Sequence, residues 1–121
     1  MENKTLELIV KSLDSKRAED IEVIGISDLT VIADYFVIAN GTSTVHTKTL
    51  ADEVEFQLFE KLGLKPTRTE GYQAGNWVIL DYSDIVVHVF NKETRDYYQL
   101  ERLWADGKYV DIKDIIIQEN N

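Results

Sequence analysis

The turn Gly41-Thr42-Ser43, with His46 just beyond it, separates an apolar run from a helical pattern. Such a turn can hold a phosphate, because the free N–H groups and the dipole of the following helix both favour an anion. Nucleotidyl-transferring enzymes place a Gly-Ser turn here and follow it with paired carboxylates that hold two metal ions. The residues that follow in this chain, Thr44 to Thr49, include no carboxylate, and the turn is much shorter than a Walker A loop. A plain helix cap by Thr42 or Ser43 is the better reading. His46 and His88 are the two histidines, and cysteine is absent. A zinc site would need further Asp or Glu ligands at positions the spacing does not mark. A Ser-His-Asp set can be drawn on paper from Ser43, His88 and Asp81, without support from their spacing. For His88, inside the greasy run Ile85 to Phe90, a buried imidazole hydrogen-bonded to backbone or a nearby side chain is preferred, with an acid–base role left open.

The other candidate chemistry is recognition. Trp77, Tyr82, Tyr98, Trp104 and Tyr109 are large aromatics close to polar residues. Aromatic anchors ringed by carboxylates suit a protein-binding patch. Most lie in or near one predicted β-hairpin, Gly75 to Phe90, with Ser83-Asp84 as its short turn. Strand parity sends Trp77, Ile79 and Asp81 to one side of the sheet and Val78, Leu80 and Tyr82 to the other. The expected binding face is the turn end of this hairpin plus the short helix after it: Trp77, Leu80, Asp81, Tyr82 and Tyr98, with Asp84 at the margin.

The elements that must position these residues follow from periodicity. Leu6, Ile9, Val10 and Leu13 mark a first helix, capped by Asn3 or Thr5. Asp20 to Ser27 alternates as a strand. Tyr35 to Ala39 is continuously apolar, which fits a central strand. A long helix over about Thr44 to Leu62 carries Leu50, Val54, Leu58 and Leu62, widened by Ala51 and Phe59, and Gly63 stops it. Pro66 to Gly71, if a strand, lies at an edge. After the hairpin, a short helix runs through Trp104, with Tyr97, Leu100 and Trp104 on one face and Tyr98 on another. The order α-β-β-α-β-β-β-α predicts an α/β fold, a mixed sheet of about five strands with flanking helices. The main domain is read as residues 1–106. Residues 107–121 are a tail whose Val110, Ile112 and Ile115-Ile116-Ile117 suit an extra edge strand or a contact with a second copy.

The chain has 121 residues and a net charge of −9. One core is expected at this length. The acidic balance disfavours direct wrapping of nucleic acid, which needs a basic face, and suits a basic protein partner. No apolar run reaches the roughly 20 residues that span a bilayer, and Met1-Glu-Asn-Lys lacks a signal peptide's apolar stretch. A soluble, unprocessed protein with no membrane partner is expected.

Several blocks occur together in a recognisable order. They are Ala33 to Ile38, Gly41-Thr42-Ser43 with His46, Ala51 to Val54, Glu70-Gly71, Trp77 to Tyr82, Asp84 to Phe90 and Tyr98 to Trp104. Over about residues 5–106 they closely resemble the ribosomal silencing factor (Iojap) family. The resemblance implies a fold similar to nucleotidyltransferases without the catalytic carboxylates, and hence no enzyme activity, cofactor or metal. It implies binding to the large ribosomal subunit through its protein fourteen, at the intersubunit face. It further implies blocked joining of the small subunit, repression of translation under nutrient limitation and a part in large-subunit maturation. A cytoplasmic location and a homodimer in the free state are likewise implied. The alternative from another class is a nucleotide-binding or nucleotidyltransferase-type enzyme using the Gly41-Thr42-Ser43 turn.

Overall fold

The computed structural model describes residues 3–116. Helix α1 (Lys4–Ser15) begins where the Asn3 side chain accepts the Leu6 N–H at 3.0 Å. Its stripe, Leu6, Ile9, Val10 and Leu13, is buried as the spacing predicts. Helix α2 (Thr44–Leu62) is capped by Ser43, whose Oγ accepts the His46 N–H, and it ends at Gly63 in the left-handed region. Its buried residues are Thr47, Leu50, Ala51, Val54 and Leu58. Leu62 and Phe59, expected in the stripe, are 39% and 49% exposed. Everything from Phe59 to Lys65 is exposed, so the last turn of α2 projects past the layer it packs on.

The strands are β1 (Glu19–Gly25), β2 (Tyr35–Gly41), β3 (Arg68–Glu70), β4 (Trp77–Asp81), β5 (Ile85–Asn91) and β6 (Lys108–Tyr109). They form one mixed sheet in the order β3-β4-β5-β2-β1-β6, in which β2 and β5 pair in parallel and the other neighbours antiparallel. Tyr35 to Ala39 thus lies in the middle and the Pro66 to Gly71 segment at an edge, as predicted. The sheet has six strands where about five were expected. The sixth is β6, two residues long, which pairs Tyr109 with Ile24 and Lys108 with Gly25. Ile112 and Ile115 then turn into the main core. Ile117 lies outside the described residues.

Pleat parity divides the interior into two layers. Val23, Val37, Ala39, Val78, Leu80, Val87 and Val89 face α1 and α2. Ile24, Phe36, Ile38 and Phe90 face the other way, toward Ile26, Ala33 and Leu100, with Trp77, Val86 and Trp104 partly buried against them. That second face is covered by α3 (Lys92–Tyr98) and α4 (Leu100–Leu103). One continuous helix through Trp104 was expected. Instead Gln99 takes φ 49°, its N–H caps α3 on the Arg95 carbonyl, and the chain restarts as α4. The break swings Tyr97 away from Leu100 and Trp104, leaving it 81% exposed.

Arg95 ties α3 to the sheet. Its Nε donates to Glu101 at 2.9 Å, and its two terminal nitrogens donate to Glu22 at 2.8 Å, to Asn40 Oδ1 at 2.9 Å and to the Asp20 carbonyl at 2.7 Å. Burial pushes the Glu22 carboxyl up, against the pull of Arg95. Burial also opposes ionisation of Glu101, but its own backbone N–H and Arg95 win and hold that carboxyl down. Removing the guanidinium strands two carboxylates that are partly screened by water. Arg95→Met should therefore lower stability by about 2–4 kcal/mol, read from urea unfolding at neutral pH; a loss under about 0.5 kcal/mol, the size of an ordinary surface substitution, would show that the knot is not structural.

Candidate functional site

The start of β4 is set by a tight loop. The Gly75 N–H donates to the Gly71 carbonyl at 3.1 Å, and Gly71 has φ 79°. A Cβ on Gly71 would strike the Trp77 carbonyl, so only glycine lets the loop close onto the strand here. Trp77 then lies on the second face of the sheet, opposite Phe90. Its ring stacks on Phe90, with centroids 4.8 Å apart and 28° between planes, and meets Tyr98 at 5.1 Å. Its indole Nε1–H donates to His88 Nδ1 at 3.1 Å. His88 packs on Phe36 at 4.6 Å, and Phe36 meets Trp104 edge-on at 5.3 Å. Outward, Tyr97 stands edge-on to Tyr98 at 5.0 Å. A connected set of rings thus runs from buried Phe36 and His88 through half-buried Trp77 to exposed Tyr98 and Tyr97.

The expected site residues divide into groups. Trp77 and Tyr98 come together. They do so at the open end of the hairpin, not at its turn end as expected. The reason is antiparallel pairing: Trp77 begins β4 and pairs with Phe90 near the end of β5, so the helix that follows β5 must start beside Trp77. Asp81, Tyr82 and Asp84 sit at the turn, about 13 Å along the strand. Leu80 is fully buried under the helices, so it is core rather than surface. Tyr82 faces the same layer, half-buried, and burial followed by the nearby Glu55 carboxylate raises its hydroxyl well above the ordinary phenol value. Asp81 is engaged locally. One oxygen accepts the Ser83 N–H at 2.8 Å and the other lies 3.7 Å from Arg68. Asp84 has an exposed side chain, while its carbonyl accepts the Asp34 and Tyr35 N–H groups.

The Gly41-Thr42-Ser43 turn is occupied by its own cap. The Thr42 N–H donates to His46 Nδ1 at 2.9 Å, the His46 N–H to Ser43 Oγ at 3.0 Å and the Thr47 N–H to the Ser43 carbonyl at 2.9 Å. His46 Nε2 in turn donates to the Lys16 carbonyl at 2.8 Å, which ties the turn to the end of α1. The Thr42 and His46 N–H groups are thus spent within the protein, while the Thr47 N–H makes the first bond of the helix itself. A groove of about 1080 Å³ lies toward β1 and is lined by Asp14, Glu19, Glu22, Arg95, Glu101 and Arg102 among others. Its guanidinium at Arg95 is saturated by the partners named above. Among the described residues, no group of three or more His, Asp or Glu side chains is arranged to hold a metal ion.

The whole chain, residues 1–121, matches the family described as "Ribosomal silencing factor during starvation". The chain belongs to the RsfS family. The ribosomal silencing factor RsfS of Halalkalibacterium halodurans is 37% identical over 111 residues, covering 92% of this chain and 94% of that protein. A crystal structure of a Chromobacterium violaceum protein superposes with a TM-score of 0.82 at 30% identity, over 100% of both chains. The mouse protein "Mitochondrial assembly of ribosomal large subunit protein 1" is 32% identical over 103 residues, covering 83% of this chain and 45% of that longer protein.

In this RsfS chain, sequence reasoning left two members of the site unassigned. Tyr97 shares a predicted helix face with Leu100 and Trp104 and is exposed. His88 was given a hydrogen-bonding side chain but no named partner. The signal for that partner was available in the parity, since Trp77 and His88 share a face of adjacent strands. Burial is the main cause that pushes the His88 imidazole down from 6.5 to about 4, with Asp81 pulling weakly the other way. Above pH 6.5 the ring is neutral in both folded and unfolded chains and contributes no pH dependence. As pH falls from 6.5 towards 4, the unfolded chain takes up a proton that the folded chain refuses, so stability drops, by up to about 3 kcal/mol. The loss should level off below pH 4. Unfolding free energies of wild type and His88→Phe, compared at pH 7 and pH 5, should diverge in pH slope; equal slopes would refute the assignment.

Proposed function

We propose that this RsfS-family chain docks on the large ribosomal subunit through that subunit's protein fourteen, at the intersubunit face. Occupying that face blocks joining of the small subunit and represses translation under nutrient limitation, and a part in large-subunit biogenesis accompanies it. The action is occupancy, not catalysis, and its place is the cytoplasm. The observation that carries the reading is the Trp77–Tyr98 pair: an aromatic surface with Tyr98 53% exposed and Tyr97 beside it, on a chain of net charge −9. Aromatic anchors with an acidic surround suit a basic partner. Family membership supports the ribosome as the setting, and the mouse relative's name supports the large subunit.

The docking residues are proposed as Trp77 and Tyr98, with Tyr97 at the rim and Asp84 steering from the turn. Co-sedimentation with purified large subunits tests this directly. Trp77→Ala or Tyr98→Ala should weaken binding by about 1–3 kcal/mol with the fold retained. Asp84→Lys should slow association, and less so at high salt. Folded variants that bind like wild type would place the interface elsewhere.

A homodimer in the absence of the ribosome is proposed on the family resemblance. Ile112 and Ile115 pack in the chain's own core, so they are not the contact. Phe56, Phe59, Leu62 and Leu64, all exposed around the end of α2, offer the apolar surface a dimer needs. Light scattering should give the mass of two chains, and a monomer mass at every concentration would overturn this proposal.

A further inference from the structure

We propose that His88 is a positioning residue for docking, whose Nδ1 fixes the Trp77 indole in the orientation the large-subunit partner meets. The inference rests on the docking role proposed above for Trp77. A tryptophan at the first residue of a strand is free about two side-chain torsions unless its ring is held. Here the ring is held twice: its face by Phe90 at 4.8 Å, its N–H by His88 at 3.1 Å. The stacking contact alone leaves the ring free to slide in its own plane, and the directional hydrogen bond removes that freedom. Tyr98 leans on the same indole, so fixing Trp77 also fixes the more exposed ring. A preformed anchor spares the ordering cost otherwise met on binding.

Stability does not account for the imidazole. His88 is 5% exposed among Phe36, Phe90 and Trp77. Because Nδ1 accepts from Trp77, the ring proton sits on Nε2, which is buried without a partner among the described residues. Such an orphaned donor destabilises the fold. A phenylalanine at this position would remove that orphaned donor but leave the half-buried indole N–H without its acceptor, so the two costs offset and stability gives no net preference for the imidazole. The burial that disfavours the protonated ring also keeps the Nδ1 lone pair available throughout the neutral range.

The test compares His88→Phe, His88→Asn and Trp77→Ala with wild type. The readouts are melting temperature, hydrogen exchange of the Trp77 indole N–H by NMR, and affinity for purified large subunits. His88→Phe is expected to melt no lower than wild type at neutral pH. Its indole N–H should exchange freely, and its affinity should fall about fivefold, the scale of one net hydrogen bond. His88→Asn, whose Oδ1 can stand where Nδ1 stood, should restore slow exchange and most of the affinity. Folded His88→Phe that binds like wild type, while Trp77→Ala does not, would overturn the proposal and leave the docking role intact. If Trp77→Ala also binds like wild type, the docking role fails and the proposal with it. Should the phenylalanine variant not fold, His88→Leu is scored in its place by the same criteria. An asparagine variant that regains slow indole exchange but not affinity would also overturn it.

Discussion

The register of the β4–β5 hairpin governs the rest of the molecule. With Ser83 at φ 73° and the Tyr82 N–H closing on the Ile85 carbonyl, Asp81 is forced opposite Val86 and Trp77 opposite Phe90. That pairing commits Val78, Leu80, Val87 and Val89 to the layer under α1 and α2, and Trp77, His88 and Phe90 to the opposite face. A slip of one residue would exchange the two sets and put His88 into the main core. β5 is also the strand that pairs in parallel with β2, so the same register fixes where the helix-capping turn after β2 lies relative to the Trp77–Tyr98 face. The Thr47 hydroxyl, one turn into α2, has the Ser43 carbonyl at 2.9 Å and the Phe90 carbonyl at 3.1 Å, and sharing its proton between them it joins the two regions.

That locking bears on the choice between an enzyme and a docking factor. A phosphate site at a helix N-terminus needs backbone donors that are free when the ligand arrives. In this turn the side chains of His46 and Ser43 accept two of them, and His46 reaches on to the end of α1. Gly41 completes the arrangement, because a Cβ there would press within 3.0 Å of the His46 ring. The turn is built to hold α1, β2 and α2 together. Thr42 and Ser43, which invite a nucleotide in the sequence, are engaged in capping the helix.

The sequence carried the elements better than their meeting points. Apolar stripes located α1 and α2, the unbroken run Tyr35 to Ala39 located the centre of the sheet, and proline with charge located its edge. Each of these signals is local, since burial on one face or both leaves a periodic trace. What was not legible depended on conformations or partners without such a trace. The left-handed Gln99 divides a pattern that otherwise reads as one helix, because glutamine is not a residue that announces a break. β6 falls in the tail that suited an extra edge strand, but its two residues leave no periodic trace to mark where it pairs. Arg95 looks like an exposed helix charge until Glu22, Asn40 and Glu101 arrive from three other elements. Trp77 and Tyr98 meet at the open end of the hairpin rather than at its turn end, because proximity in sequence to the turn says nothing about where the following helix begins.

The polar pair of Trp77 and His88 shows how an apolar face can still fix one ring in a single orientation. An all-hydrocarbon layer of Phe36, Phe90, Trp104 and a residue 88 without nitrogen would hold Trp77 by area alone. Area contacts are tolerant of rotation, since stacking energy changes little as one ring slides over another. A hydrogen bond inside the same layer is intolerant, because the alternative orientations leave an indole N–H without a partner in a poorly solvated place. The layer therefore gives up some stability, in the orphaned His88 Nε2–H, and gains a single orientation for the ring that connects the core to the surface. The same trade explains why the polar atoms are at the base of the site and the exposed rings at its rim. Orientation is set where water is excluded, and the rings it orients are exposed at the rim.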